Sequence, residues 1–196
     1  MTVEISRLTG GALKAALGDL ARLRIEVFRA WPYLYDGSYD YEREYFSNFI
    51  QSDKAIVVAA RDGGRIVGAA TAAPMGEHAE EFAEPFERGG YDIASIFYLG
   101  ESVLLPAYRG RGLGHAFFDH REAHARALGG FSKASFCSVV RPENHPLRPP
   151  DYRPLDAFWR KRGYEKVPGL IGEFSWLDLG DTEESSKPMQ FWMKAF

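Results

Sequence analysis

The stretch of this sequence with the clearest chemical potential is RGRGLGH, residues 109–115. The apolar segment FYLGESVLL precedes it at 97–105, and a segment with helical periodicity follows it. A glycine-rich turn between a strand and a helix leaves backbone N–H groups free where the helix dipole is positive. Arg109 and Arg111 add charged donors that suit phosphate oxygens. We therefore expect this loop to bind an anion.

Two nucleotide-binding templates do not match the loop. The dinucleotide fingerprint spaces its glycines as G-x-G-x-x-G, whereas the glycines here are Gly110, Gly112 and Gly114. A P-loop requires lysine and then serine or threonine after its last glycine, and His115 follows here instead. An arginine–glycine patch for RNA is a third interpretation. The formal net charge of -3 argues against nucleic acid as the main partner.

The segments around the loop predict a mixed α/β (α+β) fold in a single domain over residues 1–196. An Asp-Gly pair between two apolar runs indicates a β-hairpin, and the glycine loop belongs to one parallel βαβ unit. The acidic segment 79–87 is expected to be a solvated insertion or a lid. The predicted strands are 3–7, 54–60, 65–73, 97–105, 132–140, 164–167, 171–177 and 189–196. The predicted helices are 11–30, one from about residue 41, one after the glycine loop, and one over 155–163.

The composition, with 45% hydrophobic and 26% charged residues, is ordinary for a globular protein. The single cysteine, Cys137, excludes an internal disulfide and is typical of a reducing compartment. Its apolar neighbours predict a core residue rather than a nucleophile. No apolar run approaches the roughly 18 residues of a membrane span, and the first residues lack the pattern of a signal peptide. We therefore expect a cytoplasmic protein without a membrane partner.

The residues LLPAYRGRGLGH at 104–115 resemble the signature of the GNAT superfamily of N-acetyltransferases. That signature is R/Q-x-x-G-x-G/A at a strand-to-helix junction, and Arg109, Gly112 and Gly114 fill its three positions. The segment FWRKRGYE at 158–165 is similar to the element that precedes the family's sixth strand. The resemblance implies a bacterial-type member with the acyl-CoA N-acyltransferase fold. It further implies a central mixed sheet of about six or seven strands flanked by helices.

The resemblance also implies acetyl-CoA as the cosubstrate. Its pyrophosphate would lie on the N–H groups of the glycine loop, and its pantetheine arm along the fourth strand. The thioester carbonyl would meet a backbone N–H near Leu104. Asn144 would contact the pantetheine arm. The alternative is that Asn144 only forms a turn. The implied cosubstrate-binding residues are Val103, Leu104, Leu105, Arg109, Gly110, Arg111, Gly112, Leu113, Gly114 and Asn144.

Acetyl transfer to an amine requires a base, an oxyanion donor and a route for a proton to the thiolate. Glu101 is a carboxylate in an apolar segment, which is costly unless it is paired or functional. The resemblance implies that Glu101 is the base. The alternative is that the Glu101 side chain faces solvent or binds the N–H group of a loop. Trp159 stands where many family members carry a tyrosine that acts as the general acid. An indole cannot supply the proton that this acid gives to the thiolate. Tyr152 is therefore the candidate acid, with a structural tyrosine packed on prolines as the alternative.

The resemblance places the acceptor at the connection between the first two helices, AWPYLYDGSYDYERE at 30–44. Its tyrosines and carboxylates suit a cationic amine. The candidate acceptor-binding residues are Tyr33, Tyr35 and Asp36. The alternative is that the aromatic rings of this connection pack against the core. We expect an acetyl-CoA-dependent N-acetyltransferase that acts on an amine of a small molecule or protein by direct attack. A non-catalytic acyl-CoA-binding or regulatory module is the alternative.

Two further sequence features concern metals and assembly. His120 and His124 stand four residues apart on a predicted helix, a spacing that metal-binding helices use. No third ligand accompanies them, so we predict a solvated helix face and no metal site. The apolar segment MQFWMKAF at 189–196 predicts a packed last strand or a homodimer contact.

Overall fold

The computed structural model describes residues 3–49, 51–78 and 80–196, and they form a central sheet flanked by helices. The strands are β1 (Glu4–Leu8), β2 (Ile56–Asp62), β3 (Arg65–Pro74), β4 (Ile96–Leu104), β5 (Lys133–Val139), β6 (Glu165–Trp176) and β7 (Ser185–Ala195). The helices are α1 (Gly10–Phe28), α2 (Tyr39–Phe49), α3 (Glu80–Arg88), α4 (Leu113–Leu128) and α5 (Asp156–Lys161). None of the helices in these ranges is long and apolar enough to cross a membrane.

The sheet has the order β1-β2-β3-β4-β5-β7-β6, and this seven-stranded mixed sheet confirms the predicted fold class. The pair β4–β5 is parallel and is connected through α4, while the other neighbouring strands are antiparallel. The hairpin predicted from the Asp-Gly pair is present between β2 and β3. The segments 164–167 and 171–177, predicted as two strands, form the single strand β6. Its register against β7 shifts between Lys166 and Ile171.

Strands β4 and β5 pair over a short distance and then diverge. In the described structure their register covers Ile96–Tyr98 against Lys133–Ser135. Beyond that point β4 remains paired with β3 on its other side, and β5 remains paired with β7. The β5-facing edge of β4 is therefore unpaired from Leu99 onward, directly before the glycine loop.

A bulge in β4 lies at the start of this unpaired edge. Ala70 of β3 stands opposite Ser102, whereas Ala72 stands opposite Leu99, so Gly100 and Glu101 together face Thr71. A Cβ at Gly100 would lie 2.5 Å from Oγ1 of Thr71, so this position requires glycine. Bulges redirect side chains locally, and this one determines where Glu101 points.

The acidic segment 79–87 differs from the expected solvated insertion. Residue 79 lies outside the described residues, and the rest belongs to α3. Phe86 of α3 is fully buried, with its ring 4.7 Å from that of Phe191 on β7. The acidic side chains Glu84 and Glu87 face outward. The periodicity of Phe82, Ala83 and Phe86 gives α3 an apolar face, and this face packs on the sheet.

We expect Phe86→Ala to reduce the free energy of unfolding by about 3–5 kcal/mol, because it removes a fully buried ring and leaves a cavity. Urea denaturation monitored by circular dichroism measures this change. Glu87→Ala on the exposed face of the same helix is the matched control and should change it by less than about 0.5 kcal/mol. Equal effects of the two substitutions would show that α3 is not packed on the sheet.

Candidate active site

The glycine loop has the geometry of an anion cradle. Gly110 and Gly112 have φ angles of 74° and 80°, the left-handed region that favours glycine, and Gly112 precedes the first turn of α4. In the described part of the chain, the N–H groups of residues 110–114 donate to no backbone acceptor. A Cβ at either glycine would meet nothing within 4 Å, so the backbone is accessible from outside. These free donors fit the pyrophosphate of a CoA molecule.

Both arginines of the loop are exposed and only partly engaged. Arg109 donates from Nε to the carbonyl of Leu104 at 3.2 Å, and Arg111 donates from Nη2 to the carbonyl of Ala107 at 2.9 Å. The guanidinium of Arg111 also lies 5.3 Å from the ring centre of Tyr108. Each guanidinium carries five N–H donors, so most of them remain for an anionic ligand.

The backbone groups at the end of β4 differ in which edge of the strand they face. Leu105 donates its N–H to Val67 at 3.0 Å, and its carbonyl accepts from Tyr108 at 3.0 Å. Both backbone groups of Leu105 are therefore engaged within the protein, and its contact with the pantetheine arm stays a prediction. Backbone polar groups alternate sides along a strand, so those of Val103 face β3, like the N–H of Leu105. Those of Leu104 face the unpaired edge, where Arg109 already reaches its carbonyl.

Glu101 lies in the bulge and is buried, with 8% of its surface exposed. Its Oε2 lies 2.8 Å from Nη1 of Arg24 and accepts a hydrogen bond from the hydroxyl of Tyr45 at 3.2 Å. Its backbone N–H donates to Oγ1 of Thr71 at 3.2 Å. The other carboxylate oxygen, Oε1, is buried and has no hydrogen-bond partner among residues 3–49, 51–78 and 80–196. One oxygen of Glu101 is thus fixed, while the other is buried without a partner in the described ranges.

Arg24 of α1 lies between two buried carboxylates. Its Nη1 contacts Glu101, and its Nε forms an ion pair with Glu42 of α2, which is fully buried. Burial lowers the pKa of Arg24, but the carboxylates of Glu101 and Glu42 outweigh burial and raise it above its ordinary value. Two carboxylates thus share this one guanidinium.

Arg121 of α4 holds the backbone of the bulge. It is 1% exposed, and its Nη1 donates to the carbonyls of Thr71 and Glu101 at 3.1 and 3.2 Å. Its Nη2 donates to Oγ of Ser102 at 2.8 Å, and its Nε to the carbonyl of Phe117 at 3.1 Å. These acceptors are all uncharged. Burial lowers the pKa of Arg121 to about 10, so it remains a cation at neutral pH.

His78 is a further polar group near Glu101. Its ring lies 4.9 Å from that of Tyr98 and 6.0 Å from that of Phe49. Burial lowers its pKa to about 4, although the Glu101 carboxylate acts in the opposite direction, so the imidazole is neutral at pH 7. Its Nε2 is buried and has no hydrogen-bond partner in the described ranges.

Five residues around Glu101 were not predicted from the sequence: Arg24, Glu42, Tyr45, His78 and Arg121. The sequence pattern could have indicated two of them. Arg24 and Arg121 interrupt the apolar stripes of amphipathic helices, and a charge in such a stripe requires a buried partner. The others stand in polar or mixed segments. Their roles arise only from tertiary contact.

The candidate acceptor residues lie in the α1–α2 connection but differ in orientation. The ring of Tyr33 lies 4.6 Å from Phe28 and 6.0 Å from Trp176, and burial raises the pKa of its hydroxyl. Tyr35 is half-buried; burial, and then the Glu42 carboxylate, raise its pKa. Asp36 is exposed and forms an ion pair with the exposed Arg29 at 2.7 Å. Asp36 is thus a surface residue, while the two tyrosines lie on the side of the buried charges.

The remaining candidates lie on the loop after β5 and on α5. Tyr152 is half-buried, with its ring 5.9 Å from that of Trp31, and burial raises its pKa. Asn144 is exposed in a turn. Trp159 packs in the core, with its ring 5.0 Å from that of Trp192. Cys137 lies 3.0 Å from the Tyr98 hydroxyl, and burial raises its pKa to about 12, so it is a neutral thiol and not a nucleophile.

Metal ligands do not accompany this site. No group of three His, Cys, Asp or Glu side chains that could hold a metal ion occurs within the described ranges. His124, one of the two helix histidines, contacts the backbone carbonyl of Lys54 at 2.9 Å through Nε2.

Comparisons with known proteins agree with this geometry. The sequence model of the Acetyltransferase (GNAT) family matches residues 20–164. NAA60 of Arabidopsis thaliana in complex with acetyl-CoA has a similar fold, with a TM-score of 0.62, 13% identity and coverage of 100% of this chain and 99% of that one. The PaiA N-acetyltransferase of Thermoplasma acidophilum, in complex with coenzyme A, gives a TM-score of 0.56 at 14% identity and 100% coverage of both chains.

A ribosomal-protein-alanine N-acetyltransferase from Brucella melitensis is a third similar structure. It gives a TM-score of 0.61 at 16% identity, and the match covers 98% of this chain and 99% of that one. No curated protein sequence shows a significant match. The family model covers well over half of the chain, including β4, the glycine loop and α4. The chain therefore belongs to the GNAT family of acetyltransferases, and it is an acetyl-CoA-dependent N-acetyltransferase.

Proposed function

We propose that Glu101 is the general base of this acetyltransferase and that the acceptor is an amine bound where β4 and β5 diverge. The observation that carries this proposal is the free Oε1 of a buried carboxylate whose other oxygen is fixed by Arg24 and Tyr45. A buried carboxylate oxygen without a partner is costly, and a proton-accepting role accounts for it. The same observation favours a catalyst over a non-catalytic CoA-binding module.

The cosubstrate acetyl-CoA supplies the activated acetyl group as a thioester. In this proposal the free N–H groups of residues 110–114 hold its pyrophosphate, with Arg109 and Arg111 as additional donors. The backbone of Leu104 contacts the pantetheine arm at the unpaired edge of β4. A contact from Asn144 to the same arm stays a prediction.

The chain's own residues then support a direct transfer. The amine loses a proton to Oε1 of Glu101, directly or through one water, as its nitrogen attacks the thioester carbonyl carbon. The new C–N bond forms, and the backbone N–H of Leu104 stabilises the oxyanion. The C–S bond then breaks, and the departing thiolate takes a proton from Tyr152 or from water. Burial raises the pKa of Tyr152, so this hydroxyl keeps its proton at neutral pH.

Two arginines position the base in this scheme. Arg24 fixes Oε2 and thereby orients Oε1, while Arg121 holds the bulge through the carbonyl of Glu101 and the hydroxyl of Ser102. Reacting groups must be held within a fraction of an ångström, because a displacement of about 1 Å can reduce the rate a hundredfold. Arg121 is therefore a positioning residue.

We expect Arg109→Ala to raise the Kd for acetyl-CoA about tenfold, because it removes a charge-assisted hydrogen bond worth about 1.5 kcal/mol. Isothermal titration calorimetry measures this change. Arg7→Ala, at an exposed position on β1, is the control and should leave the Kd unchanged. An unaltered Kd in the Arg109 variant would remove this residue from the cosubstrate site.

We expect Glu101→Gln to reduce kcat by about 10²–10⁴-fold, because the amide keeps the shape of the side chain but cannot accept the proton. The Kd for acetyl-CoA should stay unchanged by calorimetry. Steady-state kinetics with an active amine provides the measurement, and Glu4→Gln on β1 is the control. Wild-type turnover of the Glu101 variant at every pH tested would refute its role as the base.

We expect Arg121→Met to lower kcat by about ten- to a hundredfold while KM for acetyl-CoA changes little, because the bulge loses its anchor. Arg121→Lys should restore part of kcat, since an ammonium can still donate to the carbonyl of Glu101. Melting curves establish that both variants are folded. A folded Met variant with wild-type kcat would show that Arg121 only fills space.

A further inference from the structure

The turn between β4 and the glycine loop uses both arginines of the loop as internal donors. Its four backbone carbonyls, at residues 104–107, all accept hydrogen bonds from within the same turn. Two of them accept from backbone N–H groups at 3.0 and 3.1 Å. The other two accept from side chains, since Arg109 donates from Nε to Leu104 at 3.2 Å and Arg111 donates from Nη2 to Ala107 at 2.9 Å. The two arginines therefore make similar contacts to different carbonyls.

These two carbonyls differ in their position relative to the sheet. The N–H of Leu105, which shares a peptide group with the Leu104 carbonyl, donates to β3. The N–H and carbonyl of a trans peptide group point in opposite directions, so the Leu104 carbonyl faces the unpaired edge of β4. Ala107 lies after the end of β4, within the turn. Arg109 therefore covers an acceptor on the strand edge, whereas Arg111 covers one outside the strand.

The carbonyl that Arg109 covers is the one that an extended ligand on this edge requires. An unpaired strand edge binds an extended chain through its free carbonyl and N–H groups, as when a peptide adds a strand to a sheet. The pantetheine arm of CoA is extended and carries two amide groups, and the proposed function places it against Leu104. A guanidinium bonded to the Leu104 carbonyl stands where an amide N–H of the arm would approach. Arg109 and the arm therefore compete for this acceptor.

The contact between Arg109 and Leu104 is weak for a guanidinium. It is a single hydrogen bond from an exposed side chain, and its length of 3.2 Å lies at the upper end of the usual range. Arg109 adjoins the N–H groups of residues 110–114, which donate to no backbone acceptor in the described chain. A guanidinium binds phosphate oxygens through charge-assisted and often bidentate hydrogen bonds. A pyrophosphate on these N–H groups is therefore a better partner for Arg109 than one uncharged carbonyl.

We propose that Arg109 is a specificity-determining residue for the acyl donor. Its guanidinium covers the Leu104 carbonyl in the free protein and leaves it for a pyrophosphate, so that the chain discriminates against pantetheine thioesters that carry no phosphate. Arg111 contributes to pyrophosphate binding alone, because the carbonyl that it covers is not on the strand edge. This inference rests on the proposed function, since it requires the pyrophosphate on the glycine loop and the pantetheine arm along β4.

The test measures, without an acceptor amine, the Kd of acetyl-CoA and that of S-acetylpantetheine, which lacks the pyrophosphate and the nucleotide. We expect Arg109→Ala to change the two Kd values in opposite directions. The Kd for acetyl-CoA rises, whereas the Kd for S-acetylpantetheine falls about three- to tenfold, because the competing hydrogen bond is lost. Arg111→Ala is the matched comparison and should raise the Kd for acetyl-CoA without lowering that for S-acetylpantetheine. Arg7→Ala on β1 should change neither value.

A Kd for S-acetylpantetheine that stays the same or rises in the Arg109 variant would overturn the selection and leave the proposed function intact. No binding of acetyl-CoA by the wild-type chain would contradict both. A crystal structure of the wild-type chain with CoA is a second readout, which does not depend on the affinity of the truncated donor. We expect Nε of Arg109 to lie more than about 3.5 Å from the Leu104 carbonyl oxygen, with the guanidinium on the pyrophosphate. An Arg109 side chain that still donates to Leu104 in that complex would overturn the inference.

Discussion

The divergence of β4 from β5 is the constraint on which the rest of the site depends. The two parallel strands share hydrogen bonds only from Ile96 to Tyr98 on the β4 side, because β4 then follows β3 while β5 follows β7. This leaves one edge of β4 unpaired and opens a space between the strand ends. The bulge at Gly100 and Glu101 lies on the same strand, with its carboxylate against Arg24 and Tyr45, and the glycine loop follows at the end of β4. The unpaired edge, the bulge and the glycine loop thus follow one another along and after β4.

The buried charges of the site are tolerated in the interior because each of them has polar partners. A buried ion without a partner costs several kcal/mol, yet Glu42, Glu101, Arg24 and Arg121 are all buried near one another. Arg24 neutralises one of the two carboxylates, and Arg121 satisfies its donors with carbonyls and a hydroxyl. Apolar residues of similar volume would pack with less electrostatic cost, so the cluster is better explained by function than by stability.

Local features of the site were predictable from the sequence, whereas features that depend on tertiary contact were not. The position of the glycine loop between β4 and α4 and the β2–β3 hairpin could be predicted because each depends on a short pattern of residue types. Arg24 and Glu42 could not be paired from the sequence, since they come from two different helices. The packing of α3 was missed because its acidic residues obscured the spacing of Phe82 and Phe86. The internal hydrogen bonds of Leu105 could not be predicted, because which strand edge a backbone group faces depends on register.

The most direct test of the central claim is a crystal structure of the chain with a bisubstrate inhibitor, CoA joined through an acetyl bridge to an amine that the chain acetylates. We expect the pyrophosphate on the N–H groups of residues 110–114 and the bridge carbonyl at the backbone of Leu104. We also expect the amine nitrogen about 3 Å from Oε1 of Glu101, or joined to it by one water. A complex in which Glu101 points away from that nitrogen, or in which the inhibitor leaves the glycine loop free, would contradict the account.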